Sequence, residues 1–339
     1  MRDSWIHNFK ADSGNTYYHR KFIQLYCAID LKGIFMNVLK KSNRFLFTVL
    51  VLGLFVSRTC VADTYPSLTD SIDPVLQSNL EKVINSIGLG RAVKNKELSL
   101  DLVDITDPEH PRVASINGKN MVYAASLPKI AILLGAFVEI ERGKMELDLD
   151  TRQTLTEMIR FSSNAAATEM YHRVGEARLA EILQSDRFKL YDRDENGGLW
   201  VGKEYGKAKA WKRDPLHNIS HGATAMQTAR FYYLLETGRL VSEPLASKMK
   251  EILSYPAIHH KFVKGLEEAR PGAKIYRKSG SWRAWHADSA IIESGGHKFI
   301  VVALAEHRDG GKWMQELIVP LHDLIVPNIV ASYDSQLLH

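Results

Sequence analysis

The order of strand and helix patterns along the chain constrains its fold more than any other feature of the sequence. In "LSLDLVDI", apolar Leu98, Leu100 and Leu102 alternate with polar residues, as in a half-buried strand, and "RVASING" continues as a second strand after the turn "DPEHP". Strand patterns return only beyond Ala273, in "KIYRKSGSW", "HADSAIIES" and "HKFIVVALAEH". The simplest assembly is therefore one antiparallel sheet to which both ends of the chain contribute.

Helical periodicity fills the middle of the chain and flanks the strands. One helix is predicted from about Ser71 to Ile87 and a last one from about Lys312 to Val330, where Pro320 should bend it. The predicted fold class is α/β (α+β), an antiparallel sheet flanked by terminal helices, with an inserted all-helical lobe and a cleft between the lobes. We expect a single catalytic unit at 63–339, with its sheet lobe at 63–125 and 254–339 and its helical lobe at 126–253.

The first 62 residues have the character of a targeting segment. From Met36, three basic residues precede the apolar run Phe45–Val56, and "CVA" ends in a small residue before Asp63. This pattern predicts a signal peptide at about residues 36–62, with an apolar run that is short for a transmembrane helix. We therefore expect initiation at Met36, export to the bacterial periplasm or medium, and no stable membrane span after cleavage. A short membrane anchor is the alternative.

Charge and cysteine content exclude other classes of protein. The formal charge is +5 for the whole chain but −1 for residues 63–339, so the folded part lacks the basic surface that a nucleic-acid partner requires. Cys27 and Cys60 both lie in the removable segment, so packing rather than disulfides must hold the exported chain together. The sequence has no HExxH motif and no Gly-rich phosphate loop. We predict no metal, no cofactor and a monomeric protein.

The stretch "YAASLPKIAILL" places Ser126 three residues before Lys129, ahead of an apolar run. At a helix start this spacing puts both side chains on one face, near the positive end of the helix dipole. A lysine desolvated against an apolar helix has a lowered pKa and can activate a serine hydroxyl. The alternative is an ordinary helix start capped by Ser126, because S-x-x-K recurs in "SKMK" at 247–250.

Two further stretches give this pair a context. "FSSNAA" places Ser162 and Asn164 at a helix start, and "RKSGSW" places Lys278, Ser279 and Gly280 on a strand. In this order, S-x-x-K, S-x-N and K-[ST]-G resemble the motifs of the penicillin-recognising serine hydrolases, and most closely those of the class A β-lactamases. The resemblance extends over nearly all of residues 63–339.

The resemblance implies three catalytic residues. Ser126 would be the acylated nucleophile, Lys129 would be its base partner, and Ser162 would relay a proton to the leaving nitrogen. Taken without the resemblance, Ser162 could equally be a helix N-cap.

The resemblance also implies the residues that bind substrate. Asn164 would hydrogen-bond an amide of the substrate, Lys278 and Ser279 would bind its carboxylate, and Gly280 would let it approach the strand closely. The backbone N–H groups of Ser126 and Ser281 would form the oxyanion hole. A turn role for Asn164 and a solvated strand-end position for Lys278 are the structural alternatives.

The sequence departs from the class A pattern in three places. Ser163 replaces the aspartate of the second motif, and the spacing of 36 residues between Ser126 and Ser162 is short, which would open the site to larger substrates. The third departure is the loop glutamate that activates the deacylating water in class A enzymes, in an E-x-x-L-N setting. The loop from Tyr191 to Ser220 has no such match.

Other residues are possible replacements or additions. Glu195 and Glu204 lie in the long loop as possible bases, and His217 and His221 are near, although loop histidines are usually solvated. Arg283 follows the third motif and is a possible second cation for a substrate carboxylate, or else a surface charge.

We therefore predict a secreted serine hydrolase that acts through an acyl-enzyme, with β-lactam hydrolysis as the favoured reaction. Its substrate would be a small β-lactam or a D-Ala-D-Ala peptide. A D-Ala-D-Ala carboxypeptidase or esterase of the same fold is the first alternative, because the loop glutamate is missing. A non-catalytic penicillin-binding or wall-binding protein is the second.

The leader pattern makes a prediction that N-terminal sequencing can check. The exported protein should begin at Asp63 and its precursor at Met36. A peptide covering residues 21–32, recovered from the native host, would contradict initiation at Met36.

Overall fold

The structure, a computed structural model, describes residues 65–327. They belong to the second of two units into which the chain divides, Asp63–His339. The predictions made for residues 1–62, among them the signal peptide, the initiator methionine and both cysteines, lie outside the described residues.

The long strands lie toward the two ends of the described chain with most of the helices between them, as predicted. The strands are β1 (Leu98–Asp104), β2 (Arg112–Ile116), β3 (Val122–Tyr123), β4 (Tyr191–Asp192), β5 (Gly197–Gly198), β6 (Trp200–Val201), β7 (His221–Ala223), β8 (Lys274–Trp282), β9 (Trp285–Ser294) and β10 (His297–Glu306). The helices are α1 (Pro74–Ser86), α2 (Gly90–Lys94), α3 (Lys129–Glu141), α4 (Leu149–Arg160), α5 (Asn164–Val174), α6 (Glu176–Gln184), α7 (Ala225–Glu236), α8 (Glu243–Leu253), α9 (Phe262–Ala269) and α10 (Gly310–Ile325).

One antiparallel sheet of five strands joins the two ends of the described chain. Its strand order is β2-β1-β10-β9-β8. Strand β1 pairs with β10 along its full length, from Leu98 opposite Ala305 to Asp104 opposite Phe299. The predicted fold class, a sheet built from both chain ends with helices between them, is confirmed. Strand β8 is an edge strand, so one side of its backbone has no partner strand within the sheet.

Two hydrophobic cores lie on opposite faces of the sheet. On one face, β1, β9 and β10 pack against the terminal helices α1 and α10 and against α9. On the other face, α7 covers the sheet and joins it to the central helices α3 to α6 and α8. No helix within residues 65–327 is long and apolar enough to cross a lipid bilayer.

The structure differs from the prediction in the inserted lobe and in the last helix. The inserted lobe is not all helical, because β3, β7 and β6 form a small sheet and β4 pairs with β5. These pairings give partners to the backbone of a segment whose side chains Tyr191 and Trp200 are buried, and buried backbone groups require such partners. The last helix ends at Ile325, not near Val330, because Val326 precedes Pro327 and is extended.

Strand β1 was predicted to be half-buried, but all seven of its residues are buried. Leu98, Leu100 and Leu102 face the terminal helices, which leaves Ser99 and Asp101 on the face covered by α7. Among the described residues, neither carboxylate oxygen of Asp101 has a hydrogen-bond partner. Burial raises the pKa of Asp101 to about 7. The predicted alternation of apolar and polar residues was correct. The prediction was wrong in assigning the polar side, with Ser99 and Asp101, to solvent.

Asp101 should make the stability of the fold depend on pH. Its pKa is near 4 in an unfolded chain and about 7 in the fold, so the free energy of unfolding should fall as pH rises from about 4 to 7. A pKa shift of this size changes the free energy of unfolding by about 4 kcal/mol over this pH range. We expect Asp101→Asn to flatten the profile in urea unfolding and to be more stable than the parent at pH 8. Asp186→Asn, at an exposed site, is the control. A parent-like pH profile in Asp101→Asn would contradict this account.

Candidate active site

Ser126 lies in a tight turn just ahead of helix α3. The helix begins at Lys129 with Pro128 as its N-cap, so Ser126 is not the cap that its sequence position suggested. Ala125, the residue before it, has a left-handed backbone with φ of 50°. Among the described residues, neither the N–H group nor the hydroxyl of Ser126 has a hydrogen-bond partner. Both groups are therefore available to a ligand, as a nucleophile and an oxyanion donor require.

Helix α3 holds this turn rigidly. Every residue from Lys129 to Val138 is buried. A helix that is apolar on all sides is a central core helix. The Lys129 side chain is consequently enclosed as well, with 0% of its surface exposed.

Gly280 brings strand β8 against the Ser126 turn. A Cβ atom at this position would lie 2.2 Å from the carbonyl oxygen of Ala124 and 2.8 Å from the Ser126 nitrogen. Only glycine fits so close a backbone contact. From the sequence, we expected that the lack of a side chain at Gly280 would let a substrate approach. In the structure, it lets the strand contact the Ser126 turn.

The second motif divides its two serines between two tasks. Ser163 caps helix α5, and its hydroxyl accepts a hydrogen bond from the N–H of Ala166. Serine caps a helix about as well as aspartate does, so the change from aspartate at this position costs the helix little. Ser162 is thereby free of capping and has a left-handed backbone with φ of 58°. Strained backbone of this kind is typical of functional positions.

The hydroxyl of Ser162 is shared by two buried lysines. Lys278 Nζ lies 2.9 Å from Ser162 Oγ, and Lys129 Nζ lies 3.4 Å from it. Lys129 also donates to the Ser162 carbonyl oxygen at 2.6 Å and to Asn164 Oδ1 at 2.8 Å. Within residues 65–327 no hydrogen bond joins Lys129 to the Ser126 hydroxyl directly. The structure thus brings the second and third motifs together around one hydroxyl, beside the turn of the first.

The two lysines are poorly solvated, which favours their uncharged forms. Burial lowers the pKa of Lys129 from 10.5 to about 7. Burial lowers the pKa of Lys278 well below its usual range, and the nearby Lys129 lowers it further. An uncharged amine at neutral pH can accept a proton, as a general base must.

A buried lysine that the sequence did not single out supports the third motif from behind. Lys261 Nζ donates to the Gly280 carbonyl oxygen at 2.6 Å, to Ser281 Oγ at 2.9 Å and to the Ala287 carbonyl oxygen at 3.0 Å. Its neighbour His260 contacts Ser279 Oγ through Nε2 at 3.2 Å. No local pattern marks Lys261, because its partners come from two distant strands.

One acid lies among the buried cations of this region. Arg277 and Asp288 form an ion pair at 2.7 Å, and the Arg277 guanidinium also donates to the carbonyl oxygens of Ile258 and His260. Among the described residues, Asp288 is the only buried acid on strands β8 to β10. Lys261 and Lys278 lie near this acid, so the basic groups of the site outnumber its buried acids.

Tyr205 is a second residue that sequence reasoning missed. Its hydroxyl donates to the Ala125 carbonyl oxygen at 3.3 Å, and its ring lies 4.6 Å from Lys129 Nζ. Burial raises the pKa of Tyr205 well above 10, so it remains a neutral phenol. Behind it, His221 is buried rather than solvated, with its ring centroid 4.3 Å from that of Tyr205. Burial lowers the pKa of His221 to about 4.

The remaining candidates are engaged elsewhere. Glu204 accepts hydrogen bonds from His172 and the Ala208 N–H, which lower its pKa and make it a weaker base. Glu195 pairs with Lys119 at 2.6 Å. Arg283 lies at the tip of the β8–β9 hairpin, with its guanidinium 5.7 Å from the ring of Trp282.

The arrangement therefore gathers a serine turn, a second serine and two buried lysines, and among the described residues no carboxylate contacts Ser126, Lys129 or Ser162. Within residues 65–327 no group of three or more His, Cys, Asp or Glu side chains could hold a metal ion. Comparison with known families adds a decisive observation, since the model of a β-lactamase enzyme family matches residues 146–325. The chain belongs to this β-lactamase enzyme family. The matched residues include the second and third motifs, while Ser126 and Lys129 precede them.

Solved structures share the fold of this β-lactamase family member at low identity. A structure of PBP-A has a TM-score of 0.56 at 14% identity and covers 74% of this chain and 96% of its own. A β-lactamase from Sphaerobacter thermophilus has a TM-score of 0.56 at 15% identity, over 73% of this chain and 96% of its own. The TLA-3 extended-spectrum β-lactamase reaches 0.58 at 14% identity, over 74% and 96%. No curated protein sequence matches the chain.

The close contact at Gly280 can be tested by adding a single methyl group. Gly280→Ala should push β8 away from the Ser126 turn, because its Cβ would overlap the Ala124 carbonyl oxygen. We expect a loss of about 1–3 kcal/mol in unfolding free energy and at least tenfold slower labelling of Ser126 by a fluorophosphonate probe, from ~1.4 kcal/mol of lost positioning. Gly272→Ala, where no atom lies within 4 Å, is the matched control. Equal labelling of the two variants would contradict this role.

Proposed function

We propose that this protein opens β-lactam rings through an acyl-enzyme on Ser126 and releases the product slowly. The observation that carries the proposal is the Ser162 hydroxyl, shared by Lys129 and Lys278 beside the free Ser126 turn. Membership in the β-lactamase enzyme family supports a hydrolase of this kind.

Acylation would use the uncharged form of Lys129. The Ser126 hydroxyl gives its proton to Lys129 Nζ while its oxygen bonds to the carbonyl carbon of the lactam. The N–H groups of Ser126 and Ser281 would donate to the developing oxyanion. When the ring C–N bond breaks, the nitrogen takes a proton from the Ser162 hydroxyl, which is replenished by the protonated Lys129 that it contacts.

Substrate binding would use the excess of basic groups. A carboxylate placed near Lys278 and Ser279 would favour the charged form of Lys278 and form an ion pair with it. The Asn164 side chain is exposed and accepts from Lys129 through its oxygen, so its NH₂ group can donate to a substrate carbonyl.

Deacylation would have to proceed without a carboxylate base. The two loop glutamates are held by His172 and Lys119, and among the described residues no carboxylate contacts Ser126, Lys129 or Ser162. Lys129 would then have to activate the water as well. Because this amine serves both steps, we propose that the acyl-enzyme persists much longer than it would beside a dedicated carboxylate.

A D-Ala-D-Ala carboxypeptidase or esterase is the second candidate, and the missing carboxylate favours it. The likeness to PBP-A, which in one solved form is an acyl-enzyme complex with penicillin G, is consistent with either function. We also propose, from the leader pattern, that the protein acts outside the cytoplasm. A purely non-catalytic binding protein is disfavoured by the intact contacts among Lys129, Ser162 and Lys278.

Intact mass spectrometry with benzylpenicillin separates these functions. At the earliest time point, we expect the mass of the protein to increase by that of one benzylpenicillin. The mass of the free protein should then return slowly as the excess antibiotic is hydrolysed. Ser126→Ala should gain no mass. A permanent adduct with no nitrocefin turnover beyond one equivalent would favour the peptidase, and no adduct in the parent would reject acylation at Ser126.

The acylation rate should depend on pH through Lys129. Its pKa is about 7, so the uncharged base is scarce at pH 5 and dominant at pH 9. We expect the second-order rate constant for acylation by benzylpenicillin to rise with pH, with a half-maximum near 7, and then to level off. Stopped-flow competition with a fluorescent penicillin measures it, and Lys129→Ala should lose this dependence. A rate that is flat from pH 5 to pH 9 would contradict the assignment of Lys129 as base.

A further inference from the structure

A cavity lies at the end of strand β8 that is remote from the third motif. Its volume is about 860 Å³, and it is enclosed by α8, residues 254–259, α9 and the start of β8. Its floor is apolar, formed by Val263, Leu266 and Ile275. A volume of several hundred Å³ with an apolar floor is typical of small-molecule sites, and the polar and charged side chains that also line this cavity could fix the orientation of a ligand. None of the three motifs lines it.

An exposed aromatic ring borders this cavity. Tyr255 is 81% exposed, although its backbone is held in the left-handed region with φ of 52°. This conformation is costly for a bulky residue and persists only where neighbouring contacts impose it. The Arg160 guanidinium lies 5.6 Å from the ring centroid, and the N–H of Ala257 donates to the Arg160 carbonyl oxygen. The fold therefore fixes the ring at the mouth of the cavity instead of burying it.

The cavity is lined by acids as well as bases: Glu251 pairs with Arg152 and Glu267 pairs with His259. Among its bases, one has no ion-pair partner within the described residues. Lys250 is paired with Glu236 and Glu293, and Arg270 is paired with Asp323 at 2.6 Å. Lys274 is exposed and makes no ion pair within residues 65–327, because Glu293, its neighbour across the sheet, is taken by Lys250 at 2.7 Å.

We propose that this cavity is a second binding site, for a small molecule that joins a flat aromatic body to an anionic group such as a carboxylate or sulfonate. The aromatic body would lie on Val263, Leu266 and Ile275 with its edge against Tyr255. The anionic group would pair with Lys274.

The same chain segment links the cavity to the catalytic strand. Residues 254–259 form one wall, and the next two residues, His260 and Lys261, contact Ser279 and Gly280. Arg277 also donates to the Ile258 carbonyl oxygen within this segment. A ligand that moves the segment therefore moves the third motif. If the ligand changes the affinity of the site for a substrate by some factor, the substrate must change the ligand's affinity by the same factor. This coupling rests on the proposed function, whereas binding itself does not.

The probe for this site is 8-anilinonaphthalene-1-sulfonate, an aromatic anion that fluoresces when desolvated. Titration of the folded full chain, without β-lactam, should show one saturable site. Lys274→Glu and Tyr255→Asn should each weaken binding at least about tenfold, since each removes one of the two anchoring interactions. Asparagine tolerates the left-handed backbone of residue 255. Lys264→Glu, an exposed change on the outer side of α9, is the matched control and should bind like the parent.

Several outcomes would overturn the proposal. Equal losses in Lys274→Glu and Lys264→Glu would indicate a general charge effect, and unchanged binding in Lys274→Glu would place the probe elsewhere. Tight binding of the uncharged N-phenyl-1-naphthylamine would show that the ligand needs no anionic group and would contradict the proposal. A probe that binds only after deletion of residues 328–339 would assign the cavity to the chain's own C-terminal segment.

The coupling is measured separately by the rate of Ser126 acylation with and without the probe. A saturating change in this rate, lost in Lys274→Glu and kept in Lys264→Glu, supports coupling through residues 254–261. Bound probe with an unchanged rate overturns the coupling. If benzylpenicillin fails to acylate the parent, the proposed function fails, and the titration still decides the binding site.

Discussion

The hydroxyl of Ser162 is shared by two buried amines, and the rest of the active site depends on how that interaction is made stable. Lys278 and Lys129 approach the same oxygen at 2.9 and 3.4 Å. Two ammonium groups so close together, and so poorly solvated, would repel strongly. The contact is stable only when at least one amine is uncharged. Burial lowers both pKa values, so the enclosure of the lysines is a condition for the site rather than a by-product of packing.

Two parts of the fold provide this enclosure. Helix α3 is buried on every side and presents Lys129 from within the core. Strand β8 presents Lys278 from the sheet, and Gly280 lets the strand approach the Ser126 turn. The two parts are 149 residues apart at Lys129 and Lys278. They meet because β1 and β10 pair and close the sheet from both ends of the chain. The catalytic contacts thus depend on long-range strand pairing.

The sequence was sufficient for the fold and for the residues that meet at the site, because both follow from ordered patterns. Apolar periodicity predicted the strands and helices, and the three motifs identified the side chains that the structure gathers around Ser162. Residues without a local pattern escaped prediction. Tyr205 and Lys261 reach the site through contacts that only the folded path of the chain creates. The sequence placed Ser126 at the start of α3, and the structure places it in the turn before the N-cap Pro128, since proline is favoured where a helix begins.

The excess of basic groups over buried acids would affect how the site selects and activates its substrate. In the free protein, the buried lysines compete for very little negative charge, and Asp288 is already paired with Arg277. A substrate carboxylate near Lys278 would favour the charged form of that lysine. A charged Lys278 would in turn disfavour charge on Lys129, because both contact the Ser162 hydroxyl. Binding of an anionic substrate would therefore release the proton of Lys129 and create the base that activates Ser126 for attack. A neutral analogue of the same shape would bind without this effect, so the anion would act on the rate of acylation as well as on affinity.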